Sequence, residues 1–326
     1  MVVTVVMVVM RSLLLAGALA LPFAVHAQDY PARPVKIIAP VPGGLGLDTF
    51  SRIVAEKLRE KWNQAVIVEN RTGVAGNIGA EAAFKAAPDG YTLLFSAHPA
   101  LVVNKSLYAR LSYDAEAFEP IGVLVKIPVV FVVHAGVAAS SVQQLIALAK
   151  ASPDKLNYAS SGSGGTPHLA AEWLKTMEGL RIVHVPYKSN TNAVTDMLAG
   201  RVDMMFLNLD AVLPHIRAGK LRALAMAGDK RDAMLPDVPT MSEVLPGFVL
   251  DAWWGAVAPP KTPAALAQKI STAIAEVLRQ PDMAKRLFDL GNIEPVGGTP
   301  ADMARFMKQE REKWAHLVRA SGAKED

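Results

Sequence analysis

Cysteine is absent from the sequence, and its absence removes several kinds of site. Without thiols the chain has no disulfide, no thiolate metal ligand and no cysteine nucleophile. Basic residues are not grouped either: 34 Lys and Arg and 30 Asp and Glu are scattered through 326 residues, for a net charge of +4. Because nucleic-acid-binding proteins concentrate basic residues, nucleic acid is not an expected partner. Histidines and carboxylates at metal-ligand spacing are also missing, so we predict no metal site.

The N-terminal segment has almost no charge. Residues 1–27 contain one basic residue, Arg11, and no acid, and residues 12–25 form an apolar run. That run is shorter than the roughly 20 residues of a membrane-spanning helix, unless the valine-rich residues before it are counted. These features are typical of a secretory signal peptide, with an uncleaved membrane anchor as the alternative.

The end of the apolar run predicts where this leader is removed. Val25 and Ala27 place small residues where signal peptidase requires them, so we expect cleavage before Gln28. The start of the leader is ambiguous, because translation from Met10 would give a conventional leader as well as translation from Met1. In both cases the mature chain is expected to be exported to the periplasm.

Short apolar runs alternate with segments of helical periodicity. The order strand, helix, strand, helix, strand opens the chain, and the alternation recurs after residue 128, which is typical of α/β sheets with parallel strands. The chain is therefore predicted to be an α/β protein with two lobes. The predicted strands are 34–40, 65–70, 91–96, two within 120–135 separated at Pro128, 156–162, 181–187, 202–208 and 221–228, and the C-terminal helices are 263–279, 281–290 and 300–321.

A glycine-rich turn follows the first predicted strand. Gly44-Leu45-Gly46 matches half of the dinucleotide fingerprint G-x-G-x-x-G, and Glu69 ends the next strand, where a ribose-binding acid is expected. However, Thr49 stands at the third glycine position, and an exported protein meets little free NAD. We therefore predict no nucleotide cofactor. Two alternatives remain, a turn that uses glycine only for its shape and an anion-binding helix N-terminus, with Asp48 as the predicted helix cap.

A second turn, residues 159–168, is rich in glycine and hydroxyl groups. It lacks the G-x-S-x-G pattern of a lipase-type nucleophile, because Ser161 stands two residues before Ser163, and an exported hydrolase is kept only as an alternative function. No Gly-Lys-Ser/Thr follows, which excludes a Walker phosphate loop. Thr166 is the predicted cap of a helix that begins with Pro167. The loop is predicted to bind an anion, with a flexible turn as the alternative.

The two turns together are stronger evidence for an anion-binding site than either turn alone. Each follows a strand at its carboxyl end, where open α/β sheets bind ligands. If the two lobes face each other, the turns hold one small anion from both sides by backbone amides and need no catalytic group. Tyr187 and Lys188 end another strand and are candidates to add a hydroxyl and a charge. Asp203 and Asp210 either meet an ammonium group or cap a helix.

Six segments resemble the substrate-binding proteins of tripartite tricarboxylate transporters, which are also called Bug receptors. The resemblance runs from Tyr30 nearly to the C-terminus, and the segments stand in order along the chain. They are YPARPVKIIAPVPGGLGLDTFSR, VIVENRTGVAGNIGAEAAFKAAPDGYTLLFS, LNYASSGSGGTPHLAAEWLK, VHVPYKSN, GKLRALAMAGDKRDAMLPDVPTMSE and EPVGGTPADMARFM.

The resemblance implies a periplasmic receptor with a two-lobed, type II-like periplasmic-binding-protein (Venus flytrap) fold. Such a receptor is not an enzyme, and we expect a monomer without a cofactor. It is expected to bind a small carboxylate in the cleft between its lobes and to deliver it to a membrane transporter, with a sensor for a membrane signalling partner as a further alternative. The implied domains are the signal peptide 1–27, lobe one 28–127 plus 253–326, and lobe two 128–252, with crossings near Pro128 and near Trp253.

The resemblance also implies which residues bind the ligand. In such receptors backbone amides of both turns, with ordered waters, hold a carboxylate. Three positions depart from the family pattern: Val41 replaces an aromatic residue, Leu45 replaces a glycine, and Ser189 replaces the glycine after Tyr-Lys, so the identity of the acid stays open. Carried over by position, the ligand-binding residues are Pro42, Gly43, Gly44, Ser161, Gly162, Ser163, Thr166 and His168, with Ser96, Tyr187, Lys188, Asp203 and Asn208 lining the rest of the pocket.

Overall fold

The computed structural model describes residues 30–44, 46–162, 164–187 and 189–324. The predicted signal peptide, Leu45, Ser163 and Lys188 lie outside the described residues. The nine predicted strands form with bounds within two residues of those expected, and two further strands, Ala252–Ala258 and Glu294–Pro295, were not predicted. These strands are β1 (Val35–Ala39), β2 (Val66–Asn70), β3 (Thr92–Ala97), β4 (Glu119–Ile127), β5 (Val129–His134), β6 (Asn157–Ser160), β7 (Val183–Pro186), β8 (Met204–Asn208), β9 (Leu221–Met226), β10 (Ala252–Ala258) and β11 (Glu294–Pro295).

Helices connect most of the strands, and they bury the apolar face that their periodicity predicts. In α1, for example, Phe50, Val54 and Leu58 recur at helical spacing and are fully buried. The helices are α1 (Gly46–Trp62), α2 (Asn77–Phe84), α3 (Asn104–Leu107), α4 (Val142–Ala151), α5 (Thr166–Glu178), α6 (Asn190–Leu198), α7 (Leu209–Arg217), α8 (Met241–Val244), α9 (Ala264–Leu278), α10 (Pro281–Asp289) and α11 (Pro300–Ser321), with tighter or wider helical turns at Val74–Gly76 and Pro99–Val103.

The first sheet is mixed, with the strand order β11-β4-β10-β3-β1-β2. Strand β1 pairs in parallel with β2 and β3, whereas β10 runs antiparallel between β3 and β4. Because β10 is reversed, its first residues lie beside the carboxyl end of β3, and Trp254 pairs with Ala97. The carboxyl ends of β1 and β3 and the first residues of β10 therefore lie together at one end of the strands.

The second sheet has the order β7-β6-β8-β5-β9. Strand β6 pairs in parallel with β7 and β8, and β5 runs antiparallel between β8 and β9. At one end of the strands in this sheet, the last residue of β8 lies beside the first residue of β5, and Asn208 pairs with Val129. The predicted α/β fold with two lobes is confirmed, since each lobe is built on one of these sheets.

The chain passes between the sheets twice. Pro128 alone separates β4 of the first sheet from β5 of the second. The return lies between Met226, the last residue of β9, and Ala252, the first residue of β10. Trp253, where the sequence places the return, is already the second residue of β10 and belongs to the first sheet.

The structure corrects one predicted helix cap, Thr166, and confirms another, Ser141, which the pattern Ser141-x-x-Gln144 predicts as the cap of a capping box. Thr166 is the first residue of α5, and Gly165 occupies the cap position with an extended backbone. Ser141 does cap α4, because its hydroxyl accepts the N–H of Gln144 at 3.2 Å. The reciprocal bond of a capping box is missing there, since the Gln144 side chain accepts the N–H of Ser140 instead.

A buried carboxylate anchors the C-terminal helix to the first sheet. Glu310 of α11 is 6% exposed and accepts the indole N–H groups of Trp253 at 2.8 Å and Trp314 at 2.9 Å. Burial alone would raise the pKa of Glu310, but Lys313 and the two indoles outweigh it and lower the net pKa. The carboxylate therefore stays charged while it satisfies two buried donors.

We expect Glu310→Ala to lower the free energy of unfolding by about 3 kcal/mol, because two buried indole N–H groups lose their acceptor. Glu312→Ala, on the exposed side of the same helix, is the matched control and should change it by about 0.5 kcal/mol or less. Urea unfolding followed by tryptophan fluorescence measures both. Equal effects of the two substitutions would contradict the anchoring role of Glu310.

Candidate functional site

Two adjoining cavities lie at the strand ends of the two sheets just described. The larger has a volume of about 570 Å³ and is called the wide cavity here, and the smaller, of about 170 Å³, is called the narrow cavity. They share five lining residues and so form one continuous cleft. The shared residues are Ala97, Pro99, Ser161, Gly165 and Asn190.

Both predicted turns border the wide cavity. The first turn contributes Pro42 and the second contributes Ser161, Gly164 and Gly165, so the structure brings the two turns to one space. The other lining residues come from the ends of β1 and β3 and from the segments around α2 and α3. They are Pro40, Val41, Thr72, Gly73, Val74, Ala75, Gly76, Ser96, Ala97, Pro99, Asn104, Leu107 and Asn190.

The narrow cavity continues from the wide one toward the start of α5. Thr166 of α5 and Asn208 at the end of β8 supply polar groups, and Phe206 and Trp254 supply aromatic surface. The first N–H groups of an α-helix have no acceptor within the helix, so the start of α5 offers donors to an anion. The remaining lining residues are Ala97, His98, Pro99, Val129, Ser161, Gly165, Pro167, Asn190, Leu207 and Ala252.

The first turn is held by one buried carboxylate. Asp48 accepts the backbone N–H of Gly44 at 2.8 Å and side-chain N–H groups of Asn70 at 2.9 Å and Arg52 at 3.0 Å. Burial alone would raise the pKa of Asp48, but the bonds from Arg52, Gly44 and Asn70 outweigh it, and the net pKa is lowered. Asp48 thus holds the turn before α1, whereas the sequence predicted a cap of the helix itself.

A stack of aromatic rings supports the second turn. His168 accepts the backbone N–H of Gly164 through Nδ1 at 3.0 Å. His184, whose ring centre lies 4.5 Å from that of His168, pairs through Nε2 with the hydroxyl of Ser160 at 2.7 Å. The same hydroxyl accepts the N–H of Gly162 at 3.1 Å. His168 therefore fixes the direction of the Gly164 N–H directly, and His184 fixes that of the Gly162 N–H through Ser160.

The contact between Ser160 and His184 resembles half of a catalytic triad, but its setting is structural. Ser160 is fully buried, and its hydroxyl is engaged by the N–H and carbonyl of Gly162. Burial lowers the pKa of His184, and it lowers the pKa of His168 to about 4, with the neighbouring imidazole as a second cause for His168. The imidazole rings of His168 and His184 are therefore neutral near pH 7, which fits a role in supporting the second turn.

His98 joins the two sheets at the floor of the narrow cavity. It follows β3 directly, is 3% exposed, and its Nε2 lies 3.1 Å from the hydroxyl of Thr166 in α5. Its ring stacks on Trp314 with a centre distance of 4.9 Å and lies 5.9 Å from Trp253. Burial lowers the pKa of His98 to about 4, and the nearby carboxylate of Glu310 offsets only part of this shift.

Five of the thirteen sequence-derived ligand residues line the cleft. Pro42 and Ser96 line the wide cavity, Ser161 lines both cavities, and Thr166 and Asn208 line the narrow one. Pro42 has no N–H, so it cannot supply the backbone amide that the sequence interpretation expects at this position. The hydroxyl of Ser96 donates to the carbonyl of Ala97 at 3.0 Å.

Other expected ligand residues are placed elsewhere or have another partner. Gly44 and Gly162 donate their N–H groups to Asp48 and Ser160, and Gly43 is not among the residues that line either cavity. His168 supports the second turn from behind.

Tyr187 and Asp203 also have partners within their own lobe. The hydroxyl of Tyr187 donates to Asp196 at 2.9 Å. Asp203 precedes β8 at the end opposite to Asn208, where its carboxylate accepts the N–H of Asn157 at 2.8 Å. The structure therefore does not bring Asp203 into the cleft, because a strand of five residues separates it from the site.

Three cleft residues escaped the sequence reasoning. His98 stands two residues after Ser96 at the end of a predicted strand, and that position was a usable signal. Asn190 begins α6 and lines both cavities, but nothing in its local sequence marks it. Val74 lies in a segment with a glycine on either side, and only the backbone conformation reveals its position on the wide cavity.

The lowered pKa of His98 predicts a pH-dependent stability. Between pH 6.5 and about 4 the unfolded imidazole binds a proton while the folded one does not, so the free energy of unfolding falls as pH falls through this range, by roughly 3 kcal/mol for this residue. Urea titrations from pH 7 to 4.5 measure the slope. It should flatten in His98→Gln but not in His316→Gln, on exposed helix surface. Parallel slopes in wild type and His98→Gln would contradict the expectation.

Residues 50–323 match the model of the family described as tripartite tricarboxylate transporter family receptor. The protein BugT of Bordetella pertussis is 37% identical over 303 residues, which cover 92% of this chain and 93% of BugT. Among solved structures, Rpa4515 of R. palustris with adipate is 33% identical, with a TM-score of 0.81 over 90% of this chain and 99% of that one. MatC of Rhodopseudomonas palustris with bound malate is 28% identical, with a TM-score of 0.77 over 89% of this chain and 100% of that one.

Proposed function

Because the chain belongs to the tripartite tricarboxylate transporter receptor family, we propose that its cleft binds the carboxylate group of a small organic acid for delivery to such a transporter. The observation that carries the proposal is the meeting of both glycine-rich turns and the start of α5 around one continuous cavity. The bound adipate and malate of the two structural relatives are acids of this class.

The start of α5 is the proposed seat of the carboxylate. Thr166, the first residue of α5, lines the narrow cavity, and the partial positive charge of a helix N-terminus favours an anion there. Ser161 and Asn208 line the same cavity, and we propose that their hydroxyl and amide groups add further polar contacts. A carboxylate held in this way needs no lysine or arginine.

Ligand binding is proposed to act by closing the two lobes. The hydrogen bond between His98 and Thr166 and the contact of Leu107 with Gly164 both join the lobes beside the cleft. A ligand that touches both walls stabilises the arrangement in which these contacts form, and so shifts the population toward the closed state. The crossings at Pro128 and between residues 227 and 251 are the segments about which the lobes would turn.

Export completes the proposal. In the described residues no helix is long and apolar enough to cross a membrane. Cleavage before Gln28 would release a periplasmic receptor that acts as a monomer and catalyses no reaction. Supporting this placement, the family to which the chain belongs consists of receptors for a membrane transporter.

A carboxylate ligand should raise the melting temperature of the mature protein and bind with measurable heat. Thr166→Val should weaken binding about tenfold, because a buried hydrogen bond to His98 and a hydroxyl at the seat are lost together. Thr176→Val, on the exposed side of the same helix, is the matched control and should leave affinity unchanged. Calorimetry measures the affinities, and mass spectrometry should recover the acid unaltered. No response to a broad panel of acids, or chemical conversion of the acid, would contradict the proposed function.

The leader has a simple test of its own. Expression of the full chain in a Gram-negative host should yield a periplasmic product whose N-terminal residue is Gln28. Ala27→Asp should leave the leader attached, because signal peptidase requires a small residue at that position. Edman sequencing and intact-mass measurement distinguish the two forms. A wild-type product that starts at Met1 or Met10 and stays with the membrane fraction would support an anchor instead.

A further inference from the structure

The segment from Gly73 to Gly76 has an unusual backbone. Its four successive residues all have positive φ angles, of 126° at Gly73, 47° at Val74, 49° at Ala75 and 90° at Gly76. Glycine accepts such angles freely, but a β-branched residue rarely does, because its side chain crowds the backbone. Residues held in this region cluster at ligand sites, so Val74 calls for a functional explanation.

The side chain of Val74 points to that explanation. It lines the wide cavity and is 55% exposed, so this β-branched side chain is neither packed into the core nor placed in a relaxed backbone. Val41 and Leu107 line the same cavity with apolar groups, and the rings of Pro40 and Pro42 extend that surface. The wide cavity therefore offers apolar contact to a ligand.

Asn104 fixes this segment and adds a second constraint. Its Nδ2 donates to the carbonyl of Ala75 at 3.2 Å and to Oδ1 of Asn77 at 2.6 Å, and these two acceptors determine the orientation of the amide. Asn104 is 1% exposed and borders the wide cavity, and its Oδ1 has no hydrogen-bond partner among the described residues. An ionised carboxylate cannot donate a hydrogen bond to this oxygen, and the partial negative charge of the oxygen disfavours a second carboxylate nearby.

We propose that Val74 determines ligand specificity and that the ligand is a monocarboxylate with a bulky apolar body, aromatic or branched. The inference rests on the proposed function, which places the carboxylate at α5. The apolar body then fills the wide cavity and covers Val74, Val41 and Leu107. Burial of Val74 by the ligand supplies the favourable contact that the free protein lacks.

Phenylacetate and adipate separate this inference from the general function, because they have the same number of non-hydrogen atoms and differ in their second carboxylate. Calorimetry on the mature protein should show phenylacetate binding at least tenfold more tightly than adipate. Adipate binding more tightly would overturn the inference and leave the proposed function standing. Binding of neither acid would also overturn the inference, while the proposed function would still be decided by the broad panel of acids.

Substitutions at Val74 test the residue itself. Val74→Thr keeps the shape but makes the surface polar, and should weaken phenylacetate binding about tenfold while changing adipate binding less than twofold. Ile67→Thr is the matched control, since Ile67 is also 55% exposed but lies on β2 away from the cavity, and it should change neither affinity.

Val74→Gly excludes misfolding as the cause of any loss. Glycine accepts the positive φ angle, so this variant should melt at or above the wild-type temperature and still lose affinity for phenylacetate about tenfold. Wild-type affinity for phenylacetate in either Val74 variant would overturn the assignment of Val74.

Discussion

The shape of the cleft depends on the hydrogen bonds that buried side chains accept from two glycine-rich turns. Glycine has no side chain with which to pack, so the shape of each turn must come from groups outside it. Asp48 supplies them for the first turn by accepting the N–H of Gly44. His168 does the same for the second by accepting the N–H of Gly164. The two supports differ in charge, but both are buried and both use one acceptor to fix one amide.

These supports also explain why so few charged groups are needed at the cleft. The supported amides of Gly44 and Gly164 are themselves occupied, but a turn of fixed shape can present its other groups to a carboxylate without rearrangement, and the start of α5 adds further fixed donors. The charges of Asp48 and Arg52 are used within the protein wall itself. The lining of the cleft is built largely from backbone, hydroxyl-bearing, amide and apolar residues, a combination suited to recognition of shape as well as of charge.

Much of the fold could be predicted from the sequence because its signals are local. Apolar runs such as Val35–Ala39 and Val129–His134 are buried strands with clear ends, and the turn residues that follow them can be recognised in the sequence. The turns at Pro42 and Ser161 were identified in the same way, and the expectation that they oppose each other follows from strand direction. The resemblance to a receptor family then supplied the ligand class, which no local pattern contains.

What could not be predicted depends on contacts between distant segments. Nothing near His98 shows that it will meet Thr166, since the two are joined only when the sheets face each other. Asp203 looked like a ligand residue by position in a motif, but it stands at the wrong end of β8 and pairs with Asn157. The left-handed backbone at Val74 is likewise a property of the folded turn, and a valine gives no hint of it in the sequence.

The position of β10 has a consequence for the order in which the chain can fold. This strand lies between β3 and β4 in the first sheet, yet it follows the whole of the second sheet in the sequence. As the chain emerges from a ribosome or a translocase, the second sheet is complete while the first still has a gap between two of its strands. Pairings of such long sequence separation form slowly, so the first lobe stays open until residue 258 is available. The second sheet can therefore form before the first, which closes only when β10 enters between β3 and β4.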